Sequence, residues 1–204
     1  MPSDGALSLL ERKITPEDAA RAQVYGLLSG FLASPPDAAK LRSGAGLSGD
    51  MSALGQAISG FAEICARLDP ETVADEYHEL FIGVGRGELV PFGSYYLTGF
   101  LNEKPLAKLR QDMTRMGIER VGDTRDPEDH IASVCEIMAG LIDGRFGPPD
   151  DGAAQKQFFE RHLNAWAPYF FRDLEAANSS VLYATLAVVG RVFLEIEETA
   201  FRMA

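Results

Sequence analysis

The sequence predicts an all-α protein, a single-domain helical bundle of about seven or eight helices. Three observations predict it. Apolar residues recur at three- and four-residue steps through most of the chain, which is the mark of helices with one buried face. No run alternates apolar and polar residues between turn signals, as a half-buried strand would. Glycine and proline clusters punctuate the chain at intervals of about one helix.

The elements follow in order. Thr15-Pro16-Glu17-Asp18 is a helix start. It has a hydroxyl cap, a proline where no N–H is needed, and acids at the positive end of the helix dipole. That helix stops before Ser34-Pro35-Pro36, and residues 44–49 read as a loop. Met51 to Arg67 carries Leu54, Ile58, Phe61, Ile64 and Cys65 on one stripe. Pro70 opens a helix that holds Tyr77, Leu80 and Phe81 and ends at Gly83-Val84-Gly85-Arg86-Gly87. After Pro91-Phe92-Gly93-Ser94, a short helix is expected from Tyr95 to Leu101, and Pro105 starts another that ends at Met116-Gly117.

Asp126-Pro127-Glu128-Asp129 is expected to open the next helix, whose stripe is Ile131, Val134, Cys135, Met138, Leu141 and Ile142. Residues 144–152 are rich in Gly, Pro and Asp, and read either as a hinge or swap point or as an ordinary loop. Gln155 to Leu174 is expected as one helix with Phe159, Leu163, Trp166 and Phe170 on one face. The last helix, about Ser179 to Phe201, is apolar almost all round from Val181 to Phe193, which suits the centre of a bundle.

The chain has 204 residues, 46% of them hydrophobic and 24% charged, enough for one core without disulfides or structural metal. Cys65 and Cys135 form no paired motif and read as buried thiols. Nineteen basic residues against thirty acidic ones leave a net charge of −11. That excess argues against nucleic acid and against an anionic membrane surface, and it allows a basic partner. The N-terminus lacks the pattern of a secretory signal, and no uncharged apolar stretch is long enough to span a bilayer. A cytoplasmic setting without stable membrane insertion is therefore expected.

Little in the sequence supports catalysis. His78, His130 and His162 are too far apart for a local metal motif, so no metal or cofactor is expected. Residues 83–87 lack the strand and the Lys-Ser/Thr ending of a phosphate loop. No G-x-S-x-G elbow is present. Pro-Glu-Asp occurs twice, at 16–18 and at 127–129, and alone it signals only a helix start. The second copy is followed by His130 instead of Ala19. Glu128, Asp129 and His130 together form a candidate cluster for guanidinium groups. Tyr95, Tyr96 and Phe100 are candidates for an apolar groove.

Two segments resemble one family. Tyr77-His78-Glu79-Leu80-Phe81-Ile82-Gly83, followed by Pro91-Phe92-Gly93-Ser94-Tyr95-Tyr96-Leu97, resembles a block of the TorD/DmsD/NarJ redox-enzyme maturation chaperones. Pro127-Glu128-Asp129-His130 resembles the Glu-x-Asp-His signature of that family, and Leu163-x-x-Trp166 with Phe170 resembles its later aromatic pattern. The resemblance implies an all-helical chaperone with no chemistry of its own. Its partner would be the twin-arginine signal peptide, or another part, of an apo-molybdoenzyme catalytic subunit before export. Glu128, Asp129 and His130 would face the signal. Leu80, Phe81, Pro91, Ser94 and Tyr95 would line or shape the apolar part of the groove. Asp129→Ala or His130→Ala would weaken client binding with little loss of fold. Monomer and domain-swapped dimer both stay open. Two rivals remain: an assembly chaperone for a non-exported nitrate-reductase-type enzyme, and a small helical metal-dependent enzyme or ligand-binding regulator.

Overall fold

The computed structural model describes residues 14–120, 126–147 and 152–203. Among them are ten α-helices and no strand beyond one isolated bridge. They are α1 (Pro16–Leu32), α2 (Ala38–Ala45), α3 (Ala53–Cys65), α4 (Pro70–Tyr77), α5 (Gly93–Thr98), α6 (Lys104–Arg115), α7 (Ile131–Asp143), α8 (Ala153–Phe158), α9 (Ala167–Ala176) and α10 (Leu182–Met203). One π turn extends α4 over His78–Ile82, and another follows α8 over Phe159–Leu163.

α7 and α10 are the most enclosed elements. α1 packs along α7, while α3 and α9 flank α10. Buried side chains from α1 to α10 join in one continuous apolar core. Both cysteines are buried free thiols, and burial pushes the Cys65 thiol up to about 11. The start of α10 is secured from a distance. The buried Glu76 carboxylate on α4 accepts the N–H groups of Val181, Leu182 and Tyr183 at 2.7, 3.1 and 2.9 Å. No described helix is long and apolar enough to cross a membrane.

The helix count exceeds the expected seven or eight for two reasons. α2 has no amphipathic pattern to announce it. Only Leu41 and Gly44 are buried, and Gly44 lies so close to Cys65 that a Cβ there would sit 2.7 Å from the Cys65 sulfur. Tertiary packing and the Asp37 cap therefore hold α2. The single helix expected over 155–174 is instead broken into α8, the π turn and α9. Pro168 has no N–H for the carbonyl of Asn164, and its ring clashes there, so the helix must restart. Trp166 occupies the break with φ −147°, and its indole N–H donates to the His162 carbonyl at 2.7 Å.

Two further boundaries moved. α5 begins at Gly93, not Tyr95, and ends at Gly99, whose φ of +82° stops the turn. α7 begins at Ile131, so Pro127-Glu128-Asp129 precedes the helix instead of forming its first turn. The cause is the bridge between Phe92 and His130. Ile131 N–H donates to the Pro91 carbonyl, and Gly93 N–H donates to the Asp129 carbonyl, both at 2.9 Å. This pairing holds His130 extended, with Glu128 and Asp129 in a turn that the His130 N–H closes on the Pro127 carbonyl at 3.1 Å. Of the breaker at 144–152, Gly144 terminates α7 with φ +80°, while residues 148–151, where the hinge expectation chiefly falls, lie outside the described residues.

Candidate functional site

The segment 126–130 separates two clefts. Asp129 lines one of them, and its neighbours Glu128 and His130 line the other, the turn at 127–130 sending them to opposite sides.

Asp129 is buried at 4% exposure. Its Oδ2 accepts the Ser94 N–H at 2.6 Å. It thereby caps α5, whose own N-cap residue, Phe92, has no side-chain acceptor. Its Oδ1 is buried and has no hydrogen-bond partner among the described residues. His130, at 8% exposure, caps α7: its Nδ1 accepts the Ala132 N–H at 3.1 Å. That bond requires an unprotonated Nδ1, and burial pulls the imidazole down to about 4, partly opposed by Asp126 and Asp129. The ring also stands edge-on to Phe92, with centroids 5.0 Å apart. Both residues therefore start helices. Substituting either by alanine removes a cap, contrary to the expectation that the fold would be indifferent.

Glu128 is half-buried, and its carboxylate meets Arg110 at 2.8 Å and Arg120 at 3.9 Å. Burial works to raise its pKa, but the two guanidiniums outweigh it and hold it below the ordinary carboxylate range. It opens onto a cleft of about 260 Å³ lined by four carboxylates, those of Glu119, Asp126, Glu128 and Glu136, against the two guanidiniums of Arg120 and Arg145. The rest of that lining is largely apolar and includes Met113, Ile118, Ile137 and Phe146.

The remaining anticipated residues lie around this bridge or behind it. Pro91 and Ser94 are buried next to it, and the Ser94 hydroxyl has no partner among the described residues. Tyr95 is half-buried, with the Arg86 guanidinium 4.9 Å above its ring and bonded to its hydroxyl. Phe81 is half-buried, edge-on to Tyr77 and Tyr183. Leu80 is fully buried in the core. The structure thus brings Pro91, Ser94, Asp129 and His130 together and sets Tyr95 and Glu128 beside them, but Leu80, Phe81, Pro91, Ser94 and Tyr95 line neither cleft.

The cleft on the Asp129 side was not anticipated. It measures about 350 Å³, and among the residues that line it are Leu97, Leu109, Asp112, Arg161, His162 and Trp166. Asp112 accepts from Arg115 at 2.9 Å, Arg161 at 3.0 Å and His162 at 2.9 Å. Burial works to raise the Asp112 carboxyl, but His162 and the arginines outweigh it and hold it below the ordinary range. Arg161 and His162 lie 49 and 50 positions from Asp112, so no local spacing announces the cluster. Among the described residues no group of three or more His, Cys, Asp or Glu is placed to hold a metal ion.

The model of the nitrate reductase delta subunit family matches residues 48–172, more than half of the chain. The chain belongs to this family, the TorD/NarJ-type redox-enzyme maturation chaperones. The match takes in the whole Asp129 cleft and all of the acidic cleft except Ala33. The chain is 26% identical over 196 residues to chaperone protein TorD of Vibrio cholerae serotype O1, covering 86% of this chain and 89% of the relative. It is 26% identical over 208 residues to chaperone protein TorD of Shewanella loihica, covering 90% and 93%. Its fold resembles a crystal structure of an Archaeoglobus fulgidus protein assigned to redox enzyme maturation, with a TM-score of 0.58 and 24% identity over 86% of this chain and 93% of the other. The relatives it matches are named chaperones, not enzymes.

Proposed function

We propose that this TorD-type chaperone binds the twin-arginine signal peptide of an apo-molybdoenzyme in the cytoplasm and holds it until the cofactor is inserted. The observation that carries the reading is the acidic cleft beside Glu128. Four carboxylates stand against the guanidiniums of Arg120 and Arg145 and that of Arg110, which pairs with Glu128, and this leaves one acid in excess beside Met113, Ile118, Ile137 and Phe146. A twin-arginine signal has the complementary form, two guanidiniums next to an apolar run. Exposed ion pairs contribute only ~0–1 kcal/mol each, so burial of the apolar run supplies most of the affinity and the acids supply selection. Asp129 and His130 hold the wall of the site through their caps. Tyr95 and Phe81 are not among the residues that line it.

Calorimetric titration of the full chain with a synthetic twin-arginine signal peptide tests this. Replacing the arginine pair by lysines, or Glu128 by Gln, is expected to weaken binding by roughly tenfold, about 1.4 kcal/mol. Absence of binding to both the signal and the apo-enzyme sinks the reading. The family's description, nitrate reductase delta subunit, favours a second one, in which the client is a non-exported nitrate-reductase-type subunit. Binding to an apo-subunit that lacks an arginine pair, with no response to the signal peptide, would support that alternative.

A further inference from the structure

We infer that the cleft on the Asp129 side is a second polypeptide-binding site, of opposite charge preference, which takes an acidic, apolar segment of the client. This rests on the chaperone reading and adds a surface to it.

The charges around this cleft differ from those of the molecule as a whole. The chain carries −11, yet Lys108, Arg115 and Arg161 line this cleft against Asp112 and Asp129. Asp112 is already shared by Arg115, Arg161 and His162. Arg115 and Arg161 are 69% and 51% exposed, and exposed Lys108 has no acid within ion-pair distance among the described residues. The rim therefore has positive charge to offer an anionic ligand.

The floor is apolar, formed by Leu97, Leu109, Val134 and Trp166. It continues outward onto the end of α5, where Leu97, Phe100 and Leu101 are 44%, 70% and 45% exposed. Asp129 lines the cleft, and its buried Oδ1 has no hydrogen-bond partner among the described residues. A carboxylate oxygen accepts hydrogen bonds only, so an occupant that carries N–H or O–H donors suits this wall of the cleft. A polypeptide meets all three conditions: backbone N–H for Asp129, apolar side chains for the floor, and glutamate or aspartate for Lys108 and Arg161. A fatty-acid anion has the charge and the apolar chain but no donor. A twin-arginine segment has donors but is repelled by the rim.

The chain's one tryptophan, Trp166, lines this cleft and reports on its occupancy. The probes are a blocked hexapeptide of alternating leucine and glutamate, its lysine counterpart, and dodecanoate. The glutamate peptide is expected to shift Trp166 emission saturably and to bind roughly tenfold more weakly to the Lys108→Glu, Arg161→Gln double variant. The lysine peptide should give no saturable shift. The inference is overturned if the glutamate peptide leaves Trp166 unmoved, if both peptides bind equally, if the double variant binds as the parent does, or if dodecanoate alone binds. The same variant titrated with the twin-arginine peptide separates the two sites. Signal binding that persists while the glutamate peptide is lost supports two surfaces, and loss of both together overturns their independence.

Discussion

At the scale of single residues, the candidate site is built from side chains that start helices. His130 is the clearest case, because its cap and its protonation exclude each other. The folded imidazole stays neutral down to about pH 4, whereas an unfolded one takes up a proton near 6.5. Between those values the unfolded chain binds more protons, so stability rises with pH across the window and is lost as pH falls through it. The contribution is up to about 3 kcal/mol, fully present above pH 6.5. The charged groups Asp126 and Asp129 oppose the shift without reversing it. His130→Asn keeps a capping acceptor but does not titrate. Its urea-unfolding free energy is therefore expected to change less between pH 7 and pH 4 than that of the parent. Equal slopes for the two proteins would show that the imidazole is not held neutral. The chemistry of this residue was legible in the sequence, but its orientation was not. Pro127-Glu128-Asp129 reads like the Pro16-Glu17-Asp18 start, and only Phe92, far upstream, keeps it from becoming one.

At the scale of elements, two kinds of helix start operate in this fold, and only one is written locally. α1 is capped by Thr15, whose hydroxyl accepts the Asp18 N–H at 3.0 Å, so its boundary could be read directly. α5 and α10 are capped by Asp129 and Glu76, residues 35 and more than 100 positions away, and their starts were placed two or three residues off. The same division holds among the other helices. Period and punctuation located α3, α6 and α7 by their stripes, but α2 and the restart at Trp166 depend on packing and on Pro168. Glu76 tests the remote mode. Glu76→Ala leaves three N–H groups of 181–183 without their acceptor, two of them buried. It is expected to lower stability by about 3 kcal/mol in urea unfolding, and Glu76→Gln by less, since an amide oxygen still accepts. A loss below ~1 kcal/mol for the alanine variant would mean that α10 begins without this carboxylate.

At the scale of the whole molecule, a chain of net charge −11 presents two clefts of different local charge that share the segment 126–130 as a wall. Acid predominates around Glu128, and base predominates around Lys108 and Arg161. Long-range attraction depends on the sum of charges and local selection on their arrangement, so the two should separate by ionic strength. A twin-arginine peptide approaching a protein of −11 is steered by the whole field until salt screens it. Dissociation depends on contacts inside the cleft, which are shielded from salt. The association rate constant of the signal peptide, measured by stopped flow, is therefore expected to fall by about tenfold between ~0.02 M and ~0.5 M salt, with the dissociation rate changing by less than about threefold. The acidic probe peptide should show the weaker dependence, because the overall field opposes the local one. If the association rate of the twin-arginine peptide is flat with salt, the excess acid keeps the surface soluble and does not guide the client. If dissociation carries the whole dependence, the guanidiniums stay exposed at the mouth and never reach the carboxylates that line the cleft.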